Sequence, residues 1–376
     1  MTGQNSGLRV VVSGGGTGGH IYPALAIARG VVARGGEVLY IGTATGMEGD
    51  IVPRAGVPFA AVGSAGLSRS WSVHNVAALG RAGWGVVQAH AALRRFRPSV
   101  VAGTGGYVSA PVVLAACALR LPTLIHEQNA IPGLTNRWLG RLVDGVAVTF
   151  PAALPYFRHG RVKCTGLPVR PDILVADRVA ARRNLGLDDE AFFLLSFGGS
   201  RGAKSLNQSM VEVIRALGGQ PDLHLLHLTG QAGQAAFQAE LDRRGINLAN
   251  YGNVKVDAYR DQMADLLAAA DLVIARAGAA SIAELTVLGR PGILIPYPYA
   301  AGDHQVANAG ELVAAGAARM ILDRDLSGDR LLESIEELRR DRPLLGRMGR
   351  SAGELGRPRA LDDILDFLEE LTFGRS

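Results

Sequence analysis

Short apolar runs rich in valine, isoleucine and leucine punctuate this chain at 10–12, 37–41, 58–62, 99–102 and 123–126. They recur at 191–197, 223–228, 254–256, 271–275 and 292–296. Runs of this length, with β-branched residues and little polar alternation, predict strands covered on both faces, as in parallel sheets. Stretches of helical period separate them, at 110–120 in the first half and at 231–244, 261–270, 280–288 and 304–315 in the second. Strand alternating with helix predicts doubly wound α/β units. Two prolines in Gly166-Leu167-Pro168-Val169-Arg170-Pro171 end regular structure, and the layout then starts over. The tail from 326 to 373 reads as amphipathic helix. With 376 residues, 48% of them hydrophobic, the chain can bury two full cores.

The polar punctuation carries the chemistry. The first strand runs into Ser13-Gly14-Gly15-Gly16-Thr17-Gly18-Gly19-His20, and Pro23 follows in the first turn of a helix, where a missing N–H costs nothing. A glycine turn opening a helix aims backbone N–H groups at an anion, so this corner is expected to hold a phosphorylated ligand. Gly14, Gly16 and Gly19 match the dinucleotide fingerprint, but the second strand ends in Gly42-Thr43-Ala44-Thr45 with no acid for a ribose, which disfavours a nicotinamide or flavin enzyme. A second corner follows the 99–102 run, at Gly103-Thr104-Gly105-Gly106-Tyr107-Val108-Ser109. The loop after 123–126 brings His126, Glu127, Asn129 and Asn136 to the strand ends, where open parallel sheets bind ligands. In the second half, Gly198-Gly199-Ser200-Arg201-Gly202-Ala203 is a further phosphate corner. Continued to Lys204-Ser205 it nearly matches a P-loop, but Ala203 replaces the final glycine, and no strand-terminal aspartate for magnesium is evident, which disfavours an ATPase.

Charge divides the chain. Residues 1–170 carry 16 Lys and Arg against five Asp and Glu; the remainder carries 23 against 29. No acid occurs from Ile51 to His126. Such a field suits an anionic partner, nucleic acid or anionic lipid. Within it, Trp71, Val73, Val76, Leu79 and Trp84 are interleaved with Arg69, Arg81, Arg94, Arg95 and Arg97. That stretch is either a surface that lies on anionic lipid or a core-facing helix with a solvated basic side. Aromatic content of 6% and the lack of a recognisable module disfavour nucleic acid. Cys117 and Cys164 suggest a reducing compartment. The longest charge-free apolar run, 108–119, is too short to span a bilayer, and no signal peptide is expected.

Paired doubly wound halves joined by a Pro-rich linker resemble the GT-B fold of nucleotide-sugar glycosyltransferases, two Rossmann-like domains facing each other across a cleft. Gly15-Gly16-Thr17-Gly18-Gly19-His20, Gly105-Gly106-Tyr107-Val108-Ser109, His126-Glu127-Gln128-Asn129, Gly133-Leu134-Thr135-Asn136, Gly198-Gly199-Ser200 and the stretch from Gly278-Ala279 to Glu284 resemble, in order, the MurG family. The resemblance implies transfer of N-acetylglucosamine (GlcNAc), with inversion, from UDP-GlcNAc to the 4-hydroxyl of the muramoyl sugar of lipid I, giving lipid II. It implies a first domain over 1–166, rejoined by a C-terminal helix at about 345–376, and a donor domain over 167–344. Thr17, Gly18 and Gly19 would lie at the donor diphosphate and the acceptor side, with Tyr107, His126 and Asn136 also binding substrate. Asn129 would touch the donor sugar, Arg170 would approach from the linker, and Ser200 would bind phosphate. Glu284, in the stretch with Ala279 and Ala280, would hold the ribose, and Gln305 the sugar hydroxyls. Arg260 would read uracil through its backbone. Leu167, Arg201 and His304 depart from the family's usual Asn, Gln and Gln.

His20 is the first candidate for the base that takes the acceptor proton. Glu127 is the second, or it orients a histidine. Backbone N–H groups at 199–201 would meet the charge on the departing UDP, with no bound metal or cofactor; a divalent cation would at most stimulate. The acceptor's lipid tail implies peripheral attachment to the cytoplasmic face of the cell membrane, and cell-wall synthesis proteins as partners. The alternatives within the same fold are a natural-product glycosyltransferase and a UDP-GlcNAc 2-epimerase.

Overall fold

The computed structural model describes residues 7–64, 73–188 and 190–374; for 73–79, 81 and 82 it describes backbone alone. The chain divides into two compact units, Met1–Pro168 with Arg357–Ser376, and Val169–Gly356.

Among the described residues the first unit holds strands β1 (Arg9–Ser13), β2 (Glu37–Gly42), β3 (Phe59–Ala61), β4 (Val100–Gly103), β5 (Thr123–Glu127), β6 (Gly145–Val148) and β7 (Arg161–Cys164), in the order β3-β2-β1-β4-β5-β6-β7. Every pair is parallel. β1 shows why its residues are nearly all apolar. Val10 and Val12 point into the layer built by helices Gly18–Ala33 and Ala360–Phe373, and Val11 points into the opposite layer with Leu93 and Val112. Gly30 lets the two helices of the first layer approach, because a Cβ there would lie 2.8 Å from Leu365 Cδ1. Arg34 pairs with Asp362, Asp366 and Glu369 along the same contact.

The second unit holds β8 (Phe192–Phe197), β9 (Leu223–Leu228), β10 (Val254–Asp257), β11 (Leu272–Ala275), β12 (Gly292–Leu294) and β13 (Ala318–Met320), in the order β10-β9-β8-β11-β12-β13, again all parallel. Helix Arg342–Leu355 belongs here: Gly349 and Gly353 bring it against Gly289. The return to the first unit therefore begins at Arg357, not near 345 as the sequence suggested. Three helices, Gly328–Arg340, Arg342–Leu355 and Ala360–Phe373, replace the single amphipathic tail.

Both sheets reverse strand order beside their first strand. Ser13 of β1 pairs with Gly103 of β4, and Phe197 of β8 pairs with Ala275 of β11. A reversal of this kind sends the flanking helices to opposite faces and leaves a crevice at the strands' carboxyl ends. The glycine corners at 14–19, 103–106 and 198–203 all fall there.

Candidate active site

In the first unit the two glycine corners interlock. A Cβ at Gly14 would sit 2.0 Å from Thr104 Oγ1, and one at Gly106, whose φ is +75°, would sit 2.2 Å from Gly15 O. Glycine is required at both. Thr104 Oγ1 donates to His20 O at 2.7 Å, so β4's loop holds the first turn of helix Gly18–Ala33. The Tyr107 ring packs over Gly16.

This frame sets the protons on three side chains. His20 Nδ1 lies 3.0 Å from both Thr104 O and Gln128 Oε1. Both are acceptors, so Nδ1 carries the proton and Nε2 the lone pair; the tautomer follows from the network. Gln128 Nε2 donates to Thr104 O at 2.8 Å and to His126 Nδ1 at 3.0 Å, and His126 Nε2 donates to Gly166 O at 2.9 Å. His126 is buried, and burial pulls its pKa down to about 4, so it stays neutral. Gln128 stands in the His126-Glu127-Gln128-Asn129 motif, which assigns it no role. Its importance lies in joining its near neighbour His126 to β4's loop and to His20, 108 residues away, a relation that spacing does not reveal.

Glu127 is also buried, and its carboxylate folds the loop that follows β5. Oε1 accepts from Asn129 N at 2.9 Å and Asn129 Nδ2 at 3.3 Å; Oε2 accepts from Gly133 N at 3.2 Å and Asn136 Nδ2 at 2.9 Å. These contacts hold Asn129 and Asn136 and touch neither histidine, which disfavours Glu127 as base or as histidine-orienting group. Thr17 and Gly19 are exposed at the open end of the helix, where Thr17 caps through its backbone only.

The first corner departs from expectation in one respect. Gly16 N donates to Glu48 Oε2 at 3.2 Å, so part of the phosphate nest is taken by the chain's own carboxylate. An acid does stand beyond β2, at Glu48, and it turns inward onto Thr43 instead of outward toward a ribose.

In the second unit, Gly199 and Gly202 adopt φ of +90° and +78° around an exposed turn at Ser200 and Arg201, ahead of helix Lys204–Leu217. That helix has no side-chain N-cap. Its first-turn N–H groups therefore face outward at the positive end of the dipole. Helix Ala279–Val287 begins at the switch point beside it, with Ala280 exposed. Its Glu284 Oε1 accepts from Arg170 Nε at 3.0 Å. Burial raises the Glu284 pKa and the Arg170 charge opposes the rise. Arg276 braces the switch point by donating to Ile295 O, Pro296 O, Asp323 and Ser205 Oγ. Gln305 Oε1 accepts from Tyr297 N at 2.9 Å, and exposed Arg260 pairs with Asp257 at 2.7 Å. The predicted residues thus form two sets: Thr17, Gly18, Gly19, His20, Tyr107, His126, Glu127, Asn129 and Asn136 in the first unit, and Arg170, Ser200, Arg260, Ala279, Ala280, Glu284 and Gln305 in the second. Among the described residues, no group of three or more His, Cys, Asp or Glu side chains could hold a metal ion.

Two Rossmann-like units, each with glycine corners at its switch point, are the two-domain α/β class to which the GT-B glycosyltransferases belong. The model of the glycosyltransferase family 28 N-terminal domain matches residues 10–148, and that of the family 28 C-terminal domain matches 193–364. The UDP-N-acetylglucosamine--N-acetylmuramyl-(pentapeptide) pyrophosphoryl-undecaprenol N-acetylglucosamine transferase of Desulforudis audaxviator is 53% identical over 97% of this chain and 98% of its own. The transferase of the same name from Desulforamulus reducens is 49% identical over 97% and 99%. The crystal structure of Acinetobacter baumannii MurG superposes with a TM-score of 0.80 at 30% identity, covering 96% of this chain and 99% of that one. The chain belongs to glycosyltransferase family 28 and, within it, to the MurG family.

Proposed function

We propose that this protein transfers GlcNAc from UDP-GlcNAc to the 4-hydroxyl of the N-acetylmuramoyl sugar of lipid I, forming lipid II for peptidoglycan. The observation that carries the reading is the His20–Gln128–His126 network, which gives a histidine at a strand-end crevice a defined lone pair, in a chain matched along nearly its whole length by transferases of that name.

The second unit takes the donor. Backbone N–H groups around Ser200 and the dipole of helix Lys204–Leu217 meet the diphosphate, and they meet it more strongly as the β-phosphate gains charge on leaving. Glu284 holds the ribose hydroxyls. The first unit presents the acceptor. His20 Nε2 accepts the proton of the attacking hydroxyl, and the positive charge this creates is shared through Nδ1–H with Thr104 O and Gln128 Oε1. Single displacement inverts the anomeric carbon, and no protein nucleophile takes part. Asn129 and Asn136, held by Glu127, orient sugar hydroxyls. No resident metal or cofactor is part of this reading.

The lipid tail of the acceptor calls for attachment at the membrane surface. Among the described residues no helix is long and apolar enough to cross a membrane. Helix Val73–Phe96 turns Ala89 and Leu93 into the core and leaves Trp84 61% exposed, with Arg94 and Arg95 outside. The inner face of this stretch is core-facing, and the outer face carries the aromatic and basic side chains. Arg69 and Trp71 lie outside the described residues, as does the side chain of Arg81. We assign the outer face to anionic lipid on the cytoplasmic side. Release of UDP that requires a lipid I analogue tests the reaction; UDP release at the same rate without acceptor would refute it.

A further inference from the structure

Glu48 is the least expected carboxylate in the chain. It is fully buried, yet no cation pairs with it among the described contacts. Its partners are polar groups of two loops. Oε1 accepts from Thr43 N at 3.2 Å and from Thr43 Oγ1, and Oε2 accepts from Gly16 N at 3.2 Å. Space has been cleared around it. A Cβ at Gly15 would lie 2.7 Å from Glu48 Cδ, one at Gly46 2.3 Å from Oε1, and one at Gly42 2.8 Å from Cγ. Three glycines crowded against one carboxylate make a built anion cradle that the protein fills itself. An ionised carboxylate survives burial only when several donors hold it.

The cradle lies directly under the catalytic turn. Gly16 is one residue before Thr17, which caps the helix carrying His20, and Tyr107 rests on Gly16's other side. Gly14 is held in turn by Tyr40, whose hydroxyl donates to Gly14 O at 2.6 Å.

We infer that Glu48 is a positioning residue for the acceptor half of the reaction: its carboxylate is an internal anion that locks the 14–17 turn and thereby sets where the N–H groups of Gly18 and Gly19 and the His20 ring meet the acceptor. This rests on the transferase reading above. The carboxylate's partners, Gly16 and Thr43, both belong to the first unit, so the donor affinity of the second unit is the control readout. The neutral amide of Glu48→Gln fails as a substitute, because in either orientation its NH2 group would confront a backbone N–H, that of Gly16 or that of Thr43. Glu48→Ala leaves an empty cradle of the right chemistry for formate.

The experiment compares wild type, Glu48→Gln and Glu48→Ala in a lipid I analogue assay, with UDP binding by calorimetry and amide exchange over 14–20. Losing hydrogen bonds to a charged group corresponds to about 10–100-fold, expected in kcat over acceptor KM with UDP affinity unchanged. Formate should restore part of the Glu48→Ala activity and slow its exchange at 14–20. Wild-type kinetics in both variants would overturn the inference. So would a parallel loss of UDP affinity and thermal stability, which marks a merely structural role. If wild type itself fails to use the acceptor, the functional reading falls. The exchange measurement, which needs no substrate, then decides the inference: formate-reversible loosening at 14–20 supports it and unchanged protection refutes it.

Discussion

His20 keeps its proton on Nδ1 because two oxygens, Thr104 O and Gln128 Oε1, both accept from it. His20→Ala should lower kcat by about 10²–10⁴-fold, the range for a positioned general base, with UDP affinity unchanged in calorimetry. Undiminished turnover in that variant would remove His20 from the chemistry. His126 and His227 illustrate a different use of the residue. Both are buried and neutral, with pKa values lowered by desolvation to about 4 and about 3. In the unfolded chain they protonate below about 6.5, so between there and the native values the unfolded state binds more protons. Their stabilising effect is complete above about 6.5 and declines as pH falls, by about 2 kcal/mol per residue at pH 5. His227→Leu should therefore flatten the dependence of the urea midpoint on pH between 7 and 5, whatever it does to stability at pH 7. A slope equal to wild type would contradict the assignment.

At the scale of elements, the glycine corners separate two reasons for glycine. Gly202 has φ +78° and a Cβ there would meet Thr229 O at 2.0 Å, while Gly219 has φ +83° with nothing within 4 Å. Gly219→Ala should cost about 1 kcal/mol of stability through backbone conformation alone and leave UDP affinity intact. Gly202→Ala should weaken UDP binding as well, because the turn at Ser200 cannot keep its shape; equal UDP affinities for the two variants would refute this. The corners themselves were legible in the sequence, since a buried strand followed by several glycines has few other uses. So was the strand–helix alternation, including the boundaries of helix Ala279–Val287 to within a residue. β6, β7 and β13 were missed: Gly145-Val146-Ala147-Val148 and Ala318-Arg319-Met320 are too short to show a period, and β7 alternates basic and apolar residues at a sheet edge. The inward turn of Glu48 was hidden too. Its partners Gly16 and Thr43 come together only through the β1–β2 pairing, and an acid among glycines reads as a solvated helix start.

On the scale of the molecule, charge is divided along the chain. The basic excess falls in the first 170 residues and the acidic excess in the remainder, whose last acids lie on helix Ala360–Phe373, back in the first unit. A positive face beside exposed Trp84 should hold the protein on vesicles containing anionic lipid, and binding should weaken as salt rises toward a Debye length of about 8 Å and below. Replacing Arg69, Arg81, Arg94 and Arg95 together should abolish sedimentation with such vesicles while leaving UDP affinity unchanged; unchanged sedimentation would reject that face.

The proposed reaction takes the donor in the second unit and activates the acceptor alcohol in the first. The direct test supplies radiolabelled UDP-GlcNAc and a lipid I analogue and analyses the product. The account predicts a β-linked disaccharide on the lipid, with one UDP released for each sugar transferred. Free GlcNAc, an epimerised sugar, or label on lipid without matching UDP would contradict it.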